Sequence, residues 1–392
     1  MDTIKLPPNA PTFCGGDGPE LFTGTGERYL DFFCDVGTAS LGYSEPWAAL
    51  GRLVDNRIPV HAPNRYAFKT RTDVAAELCK VVGMDKVFFC NSGTEAVEAA
   101  IKCARLRQFQ RSGSAGDDNL RYEVWAYRKG FHGRTYGALA AGDGPVYHYT
   151  GFGPHLQGFR HFTDISELSA KAAAVILSPV FANGDVNELG GSYLYQLRDF
   201  CDRNDIALIF DEVQTGSGRC GGDAFTYAQR VGVRPDIVTL AKGVAMGAPV
   251  GAMLARGDYA NAFTVGSHFS TFGGNPFSCS MVEGMLSWWK KNREAAEDIG
   301  KILRGSLRAI PGFRNVRGPG ALIAFDYDRP MALAEAALNQ HLLIGVFHDG
   351  PGPVKLTPPL NITHSMLKTG IERLERAHIA VQTSTKKENG HG

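Results

Sequence analysis

A chain of 392 residues can bury a large core in two lobes, and 44% hydrophobic with 21% charged residues is the balance of a globular protein in water. Lys plus Arg at 41 against Asp plus Glu at 40 gives a formal net charge of +1, which leaves no basic excess for nucleic acid or an anionic membrane, so small molecules are the expected partners. The 8 cysteines lack C-x-x-C spacing, the opening MDTIKLPPNAPTF has no signal-peptide core, and no apolar run matches a membrane span; a cytoplasmic protein with reduced thiols and no metal site is expected.

Between residues 86 and 255, short β-branched or aromatic runs alternate with helical patterns: KVFFC, YEVWAY, AAVILSPV, DIALIFDE, DIVTLAK and VGAMLA. Runs of this kind are buried on both faces of a mostly parallel sheet, which predicts an α/β domain whose ligands collect at the carboxyl ends of the strands. RSGSAGDDNL (111–120) reads as a surface loop and the tail STKKENGHG as frayed.

Three of those strand ends carry chemistry. KVFFC leads into NSGTEAVEAAIKCARLRQF, where Ser92 to Glu95 form an S-x-x-E capping box and Val97, Ala100, Ile101 and Ala104 follow at helical spacing. With Ser92, Gly93 and Thr94 in its first turn, this is either an ordinary capped helix or a cradle of free N–H groups for a phosphate. DIALIF ends on Asp211, which is either a solvated loop acid or a buried carboxylate that needs a cationic partner. DIVTLAK ends on Lys242, the one charged residue of VTLAKGVAMGAPVG, which either reaches water or is a buried amine of depressed pKa. An anion cradle, an acid and a primary amine together are what pyridoxal 5′-phosphate requires for its phosphate, its ring nitrogen and its aldehyde.

The motifs GERYLDF, FFCNSGTEAVEAAIKCAR, GFHGRTYGAL, IFDEVQTGSGR, VRPDIVTLAKG and HFSTFGGNPFSC occur in that order, and with them the chain resembles the class III aminotransferases of PLP fold type I, the group of acetylornithine and ornithine aminotransferases. The resemblance implies a large α/β domain over 47–275 with a seven-stranded, mainly parallel sheet, and a smaller α+β domain made of 1–46 together with 276–392. It implies Lys242 as the Schiff-base lysine, Asp211 as partner of the pyridine nitrogen, Gln214 at the ring hydroxyl, Ser92, Gly93 and Thr94 at the phosphate, and Phe131 against the ring. Thr271 of HFSTF is implied to reach the phosphate of a neighbouring subunit, which makes a homodimer with its active sites at the interface. The expected reaction is transamination between an amine and a carbonyl substrate; a decarboxylase, aminomutase or epimerase on the same cofactor is the alternative, and a non-catalytic binding protein a remote one.

The departures from the family pattern fall on substrate recognition. Where typical members carry E-P-I-Q-G-E-G-G, this chain reads LSPVFANGDV, with Ser178 at the first acid and Asn183 near the second, followed by Asp185. PVKLTPPL puts Lys355 where a carboxylate-clamping Arg is usual, and Phe269 replaces a glycine in H-G-S-T-F. Lysine is a point charge and cannot reproduce the two-pronged grip of arginine, so Lys355 either binds a carboxylate more weakly or marks a changed substrate. Arg134 of GFHGRT remains as a candidate for an anionic substrate group.

Overall fold

A computed structural model describes residues 10–112, 120–143, 149–181, 185–347 and 350–389. The central sheet has seven strands: β1 (Lys86–Cys90), β2 (Val124–Tyr127), β3 (Phe159–Phe162), β4 (Ala174–Leu177), β5 (Ala207–Asp211), β6 (Ile237–Leu240) and β7 (Gly251–Ala255), in the spatial order β1-β7-β6-β5-β4-β2-β3. Every pairing is parallel except those of β7, which runs antiparallel to both β1 and β6.

All residues of β4, β5 and β6 are buried, which explains their largely apolar sequences AVIL, ALIFD and IVTL, broken only by Asp211 and Thr239. Side chains alternate between two cores. Leu208 and Phe210 pack with Leu194, Leu197 and Cys201 of the helix Gly191–Asn204, while Ala207 and Ile209 face Ala100 and Ala104 of the helix Gly93–Ser112. The second helix presents alanines to the sheet, so its backbone lies close and its first turn is held firmly at the sheet edge. Fully burying a side chain such as Phe210 contributes about 1.5–3 kcal/mol.

The edge strand β3 was not among the sequence expectations. Its sequence FRHF holds only two apolar residues, and it pairs with β2 alone. The strands outside 47–275 form two four-stranded sheets. Phe13–Asp17, Glu20–Thr23 and Arg28–Asp31 join Leu342–Leu343, and Arg314–Arg317, Ile323–Tyr327, Gly352–Leu356 and Gly345–Val346 make the other. The C-terminal helix His364–Asn389 runs into STKKENGHG, where fraying was expected, and the loop residues 113–119 lie outside the described residues. Among the described residues no helix is long and apolar enough to cross a membrane.

Candidate functional site

Three chain reversals meet at the carboxyl edge of the sheet, after β1, β5 and β6. Gly93 lies where they touch: a Cβ there would come 2.8 Å from Val213 Cγ1 and 3.3 Å from Ala241 Cβ, so a larger residue would force the strand ends apart. The helix Gly93–Ser112 starts at this point and its cap is tied twice. Ser92 Oγ accepts from the Glu95 N–H at 3.3 Å, and Glu95 Oε2 accepts from the Asn91 N–H at 2.7 Å. The return bond therefore falls one residue earlier than a standard capping box places it.

A cavity of about 630 Å³ opens over this junction, and its wall brings together Ser92, Gly93, Thr94, Phe131, Arg134, Asp211, Gln214 and Lys242. Gly133, at φ 130°, lets the GFHGRT loop close onto the helix start; a Cβ there would meet Thr94 Oγ1 at 2.2 Å. Arg134 is exposed, with its guanidinium carbon 5.2 Å from the centroid of the Phe131 ring. Gln214 donates from Nε2 to the Val36 carbonyl at 3.1 Å, which orients its amide.

Asp211 ends β5 and is held from three directions. Its Oδ1 accepts from the Val213 N–H at 3.1 Å and the Thr239 hydroxyl at 2.9 Å, and its Oδ2 lies 2.7 Å from His132 Nδ1. Nδ1 of the ring thus faces the carboxylate, and Nε2 is buried on the far side of the ring. That Nε2 has no hydrogen-bond partner among the described residues. Sequence reasoning passed over His132, although it stands inside GFHGRT beside Phe131; a buried histidine within a motif that otherwise faces a cavity was the available signal.

Lys242 begins the 3₁₀ turn Lys242–Ala245 with a left-handed φ of 47°, a conformation that L residues rarely adopt and that takes the chain sharply off β6. Burial pushes its ammonium down to about 8, against the opposing influence of the Asp211 and then the Asp35 carboxylates. The free amine is thus accessible in mildly alkaline water. Glu212, the neighbour of Asp211, has a different task. Burial raises its carboxyl to about 7 against the bonds it accepts from the N–H groups of Ala228 and Tyr227, at 2.8 and 2.5 Å, which satisfy the start of the helix Tyr227–Val231.

Two of the predicted site residues lie off this wall. Thr271 is exposed on a surface loop, where its carbonyl accepts from Asn64 Nδ2 at 2.8 Å. Lys355 lies in the strand Gly352–Leu356, paired on either side with Ile323–Tyr327 and Gly345–Val346, with 0% of its surface exposed. Its Nζ sits 4.4 Å from the centroid of the Phe347 ring, and burial followed by the charge of Lys242 holds its amine well below the usual lysine range. Ser178 lines the cavity, Asp185 stands 3.8 Å from Lys129 in an ion pair, and Asn183 lies outside the described residues. Phe269 is 68% exposed. No cluster of His, Cys, Asp or Glu suited to a metal ion occurs among the described residues.

With the geometry in view, the sequence profile described as Aminotransferase class-III matches residues 15–378. An acetylornithine aminotransferase from Agrobacterium fabrum is 35% identical over 375 residues, covering 92% of each chain. Among solved structures, the ornithine aminotransferase of Toxoplasma gondii superposes with a TM-score of 0.88 at 26% identity, covering 98% of this chain and 93% of that one. An amine transaminase from an uncultivated Pseudomonas species, described in a PLP-bound form, gives 0.83 at 26% identity over 96% and 97% of the two chains.

Proposed function

The chain belongs to the class III aminotransferases, and from that premise we propose that it is a PLP-dependent transaminase that moves an amino group from an ω-amino acid, diamine derivative or related amine to a keto acid or aldehyde. The observation that carries this reading is one cavity that holds a half-buried lysine of depressed pKa, an aspartate fixed at three points and the open start of a long helix.

These residues suit the cofactor chemically. Gly93 leaves room for a close approach to the helix start, whose unpaired N–H groups and positive dipole end favour a phosphate. Asp211 retains acceptor capacity for a protonated ring nitrogen, and the buried His132 Nε2 has no hydrogen-bond partner among the described residues. When bound, pyridoxal 5′-phosphate supplies an electron sink for the negative charge left on the substrate carbon.

The chain's own groups do the rest. Ser92, Gly93 and Thr94 hold the phosphate. Asp211 keeps a proton on the ring nitrogen, and His132, Thr239 and the Val213 N–H keep Asp211 from turning away. Gln214 serves the ring hydroxyl and Phe131 offers an apolar face. Lys242 would be the amine that holds the aldehyde, and as a free amine it could take up and return a proton, a role its depressed pKa favours. Arg134, exposed at the cavity wall, takes an anionic group of the substrate, whereas Lys355 is fully buried and is not part of that wall. A second copy of the chain completes the site through Thr271, whose exposed loop also carries the exposed rings of Phe269 and Phe272.

Purified protein is expected to take up pyridoxal 5′-phosphate and turn yellow, and to consume a keto acid as it releases amine nitrogen from its donor. Lys242→Ala is expected to lose turnover by on the order of a thousandfold or more. Protein that takes up no cofactor, or a Lys242→Ala variant with undiminished turnover, overturns the reading.

A further inference from the structure

Residues Cys34 to Gly37 pass through four successive left-handed φ angles, 49°, 46°, 61° and 80°, and only the last belongs to a glycine. Such angles are disfavoured for any L residue and most of all for β-branched Val36. They persist only where the surroundings impose them, and they gather at ligand sites. Here the surroundings are evident. Asp31 Oδ1 accepts from the N–H groups of Phe33 and Cys34, both at 2.8 Å, and its Oδ2 accepts from the Tyr43 hydroxyl at 2.5 Å. The Val36 carbonyl accepts from Gln214 in the cavity wall, and Thr38 Oγ1 donates to the Asp35 carbonyl at 2.7 Å.

This turn presents Asp35 at the surface. The carboxylate acts electrostatically on Lys242, and among the described residues no cation stands within ion-pair distance of it. Asp35 also lines a second cavity of about 450 Å³, whose walls include Tyr43, Trp47, Leu50 and Phe277 and which shares Thr38, Gly247 and Ala248 with the first. The two cavities thus adjoin along Thr38, Gly247 and Ala248, with the amine of Lys242 in one and apolar and aromatic walls beside the Asp35 carboxylate in the other.

We propose that Asp35 binds the non-reacting ammonium of a diamine donor, with the donor's methylene chain lying on the apolar wall. The proposal rests on the transaminase reading and names the donor class for it. The carboxylate supplies a charge-assisted acceptor, and the Tyr43 and Trp47 rings suit a cation beside them. The same carboxylate repels a donor that ends in a carboxylate. Arg134 and Lys129 line the first cavity only, which separates an anion-binding side from this cation-binding one.

The test compares α,ω-diaminopentane with aminopentane on wild-type protein, Asp35→Asn and Asp35→Glu. Asn tolerates the left-handed region, so the turn survives the first substitution. In the cofactor-loaded protein, the rate of cofactor conversion is expected to favour the diamine by about tenfold or more, the scale of one hydrogen bond to a charged group. That preference is expected to vanish in Asp35→Asn and to return in part in Asp35→Glu. Calorimetric binding of the two amines to cofactor-free protein is expected to show the same preference and the same loss. No preference in wild type, or an Asp35→Asn variant that weakens both amines alike, overturns the proposal. Protein that takes up no cofactor but still binds the diamine through Asp35 overturns the transaminase reading alone.

Discussion

The two ends of strand β6 treat charge in opposite ways. At its amino end, Asp236 meets Arg198 at 2.8 Å and Arg256 at 2.9 Å and accepts the Leu208 N–H at 2.9 Å. The neighbouring β5 begins near Asp205, which holds Arg107 at 2.7 Å. At the carboxyl end, Lys242 has no carboxylate within ion-pair distance among the described residues, and Asp211 leans on a histidine and two neutral donors. Charges answered within the chain hold the sheet together, and charges left without an in-chain answer are available to a ligand.

The comparison is broken most easily at Asp236. Asp236→Asn leaves two guanidinium groups without a counter-charge, so denaturant titration is expected to show a stability loss of about 3–5 kcal/mol, while the folded fraction still takes up cofactor. Asp211→Asn should do the reverse. Its stability is expected to stay within about 1 kcal/mol of wild type, and turnover to fall by on the order of a hundred- to a thousandfold, about 3–4 kcal/mol of lost electrostatic stabilisation. If Asp211→Asn unfolds the protein as readily as Asp236→Asn does, the division between the two edges is wrong.

This division also marks what could be read from the sequence. Strands β4 to β6 were legible because burial on both faces demands mostly apolar runs, and the charged residues at or just beyond the ends of β5 and β6 stood out against that background. Lys242 and Asp211 are therefore legible in the sequence, and the Ser92–Thr94 turn is legible through the capping pattern that follows β1. The edge strand β3 was not, since FRHF buries fully only its last residue. His132 reaches Asp211 across 79 residues of chain, and a contact of that range leaves no local periodicity. Asp35 was hidden for a related reason: nothing in FFCDVG announces a left-handed turn, which is imposed by Asp31, Tyr43 and Gln214. The place of Lys355 was legible, but its full burial depends on tertiary packing that leaves no local pattern in PVKLTPPL.

A subtler effect sharpens the contrast through Lys242 itself. Its ammonium falls from the usual 10.5 to about 8 in the folded protein, chiefly through burial, so below pH 8 the lysine is charged in both states and folding bears the full cost of desolvating it. Between pH 8 and 10.5 the folded chain has released the proton while the unfolded chain retains it, and the cost shrinks as pH rises. Cofactor-free Lys242→Met removes that charge and keeps an unbranched side chain on the same left-handed backbone. It is expected to exceed wild type in stability at pH 7 by about 2 kcal/mol, the shift in pKa discounted for the partial exposure of the side chain. The gain should decline through the window from 8 to 10.5 when urea titrations are run at successive pH values. A gain that stays constant with pH would assign the effect to apolar packing, and Lys242 would then no longer count as a charge that the fold tolerates for the sake of its chemistry.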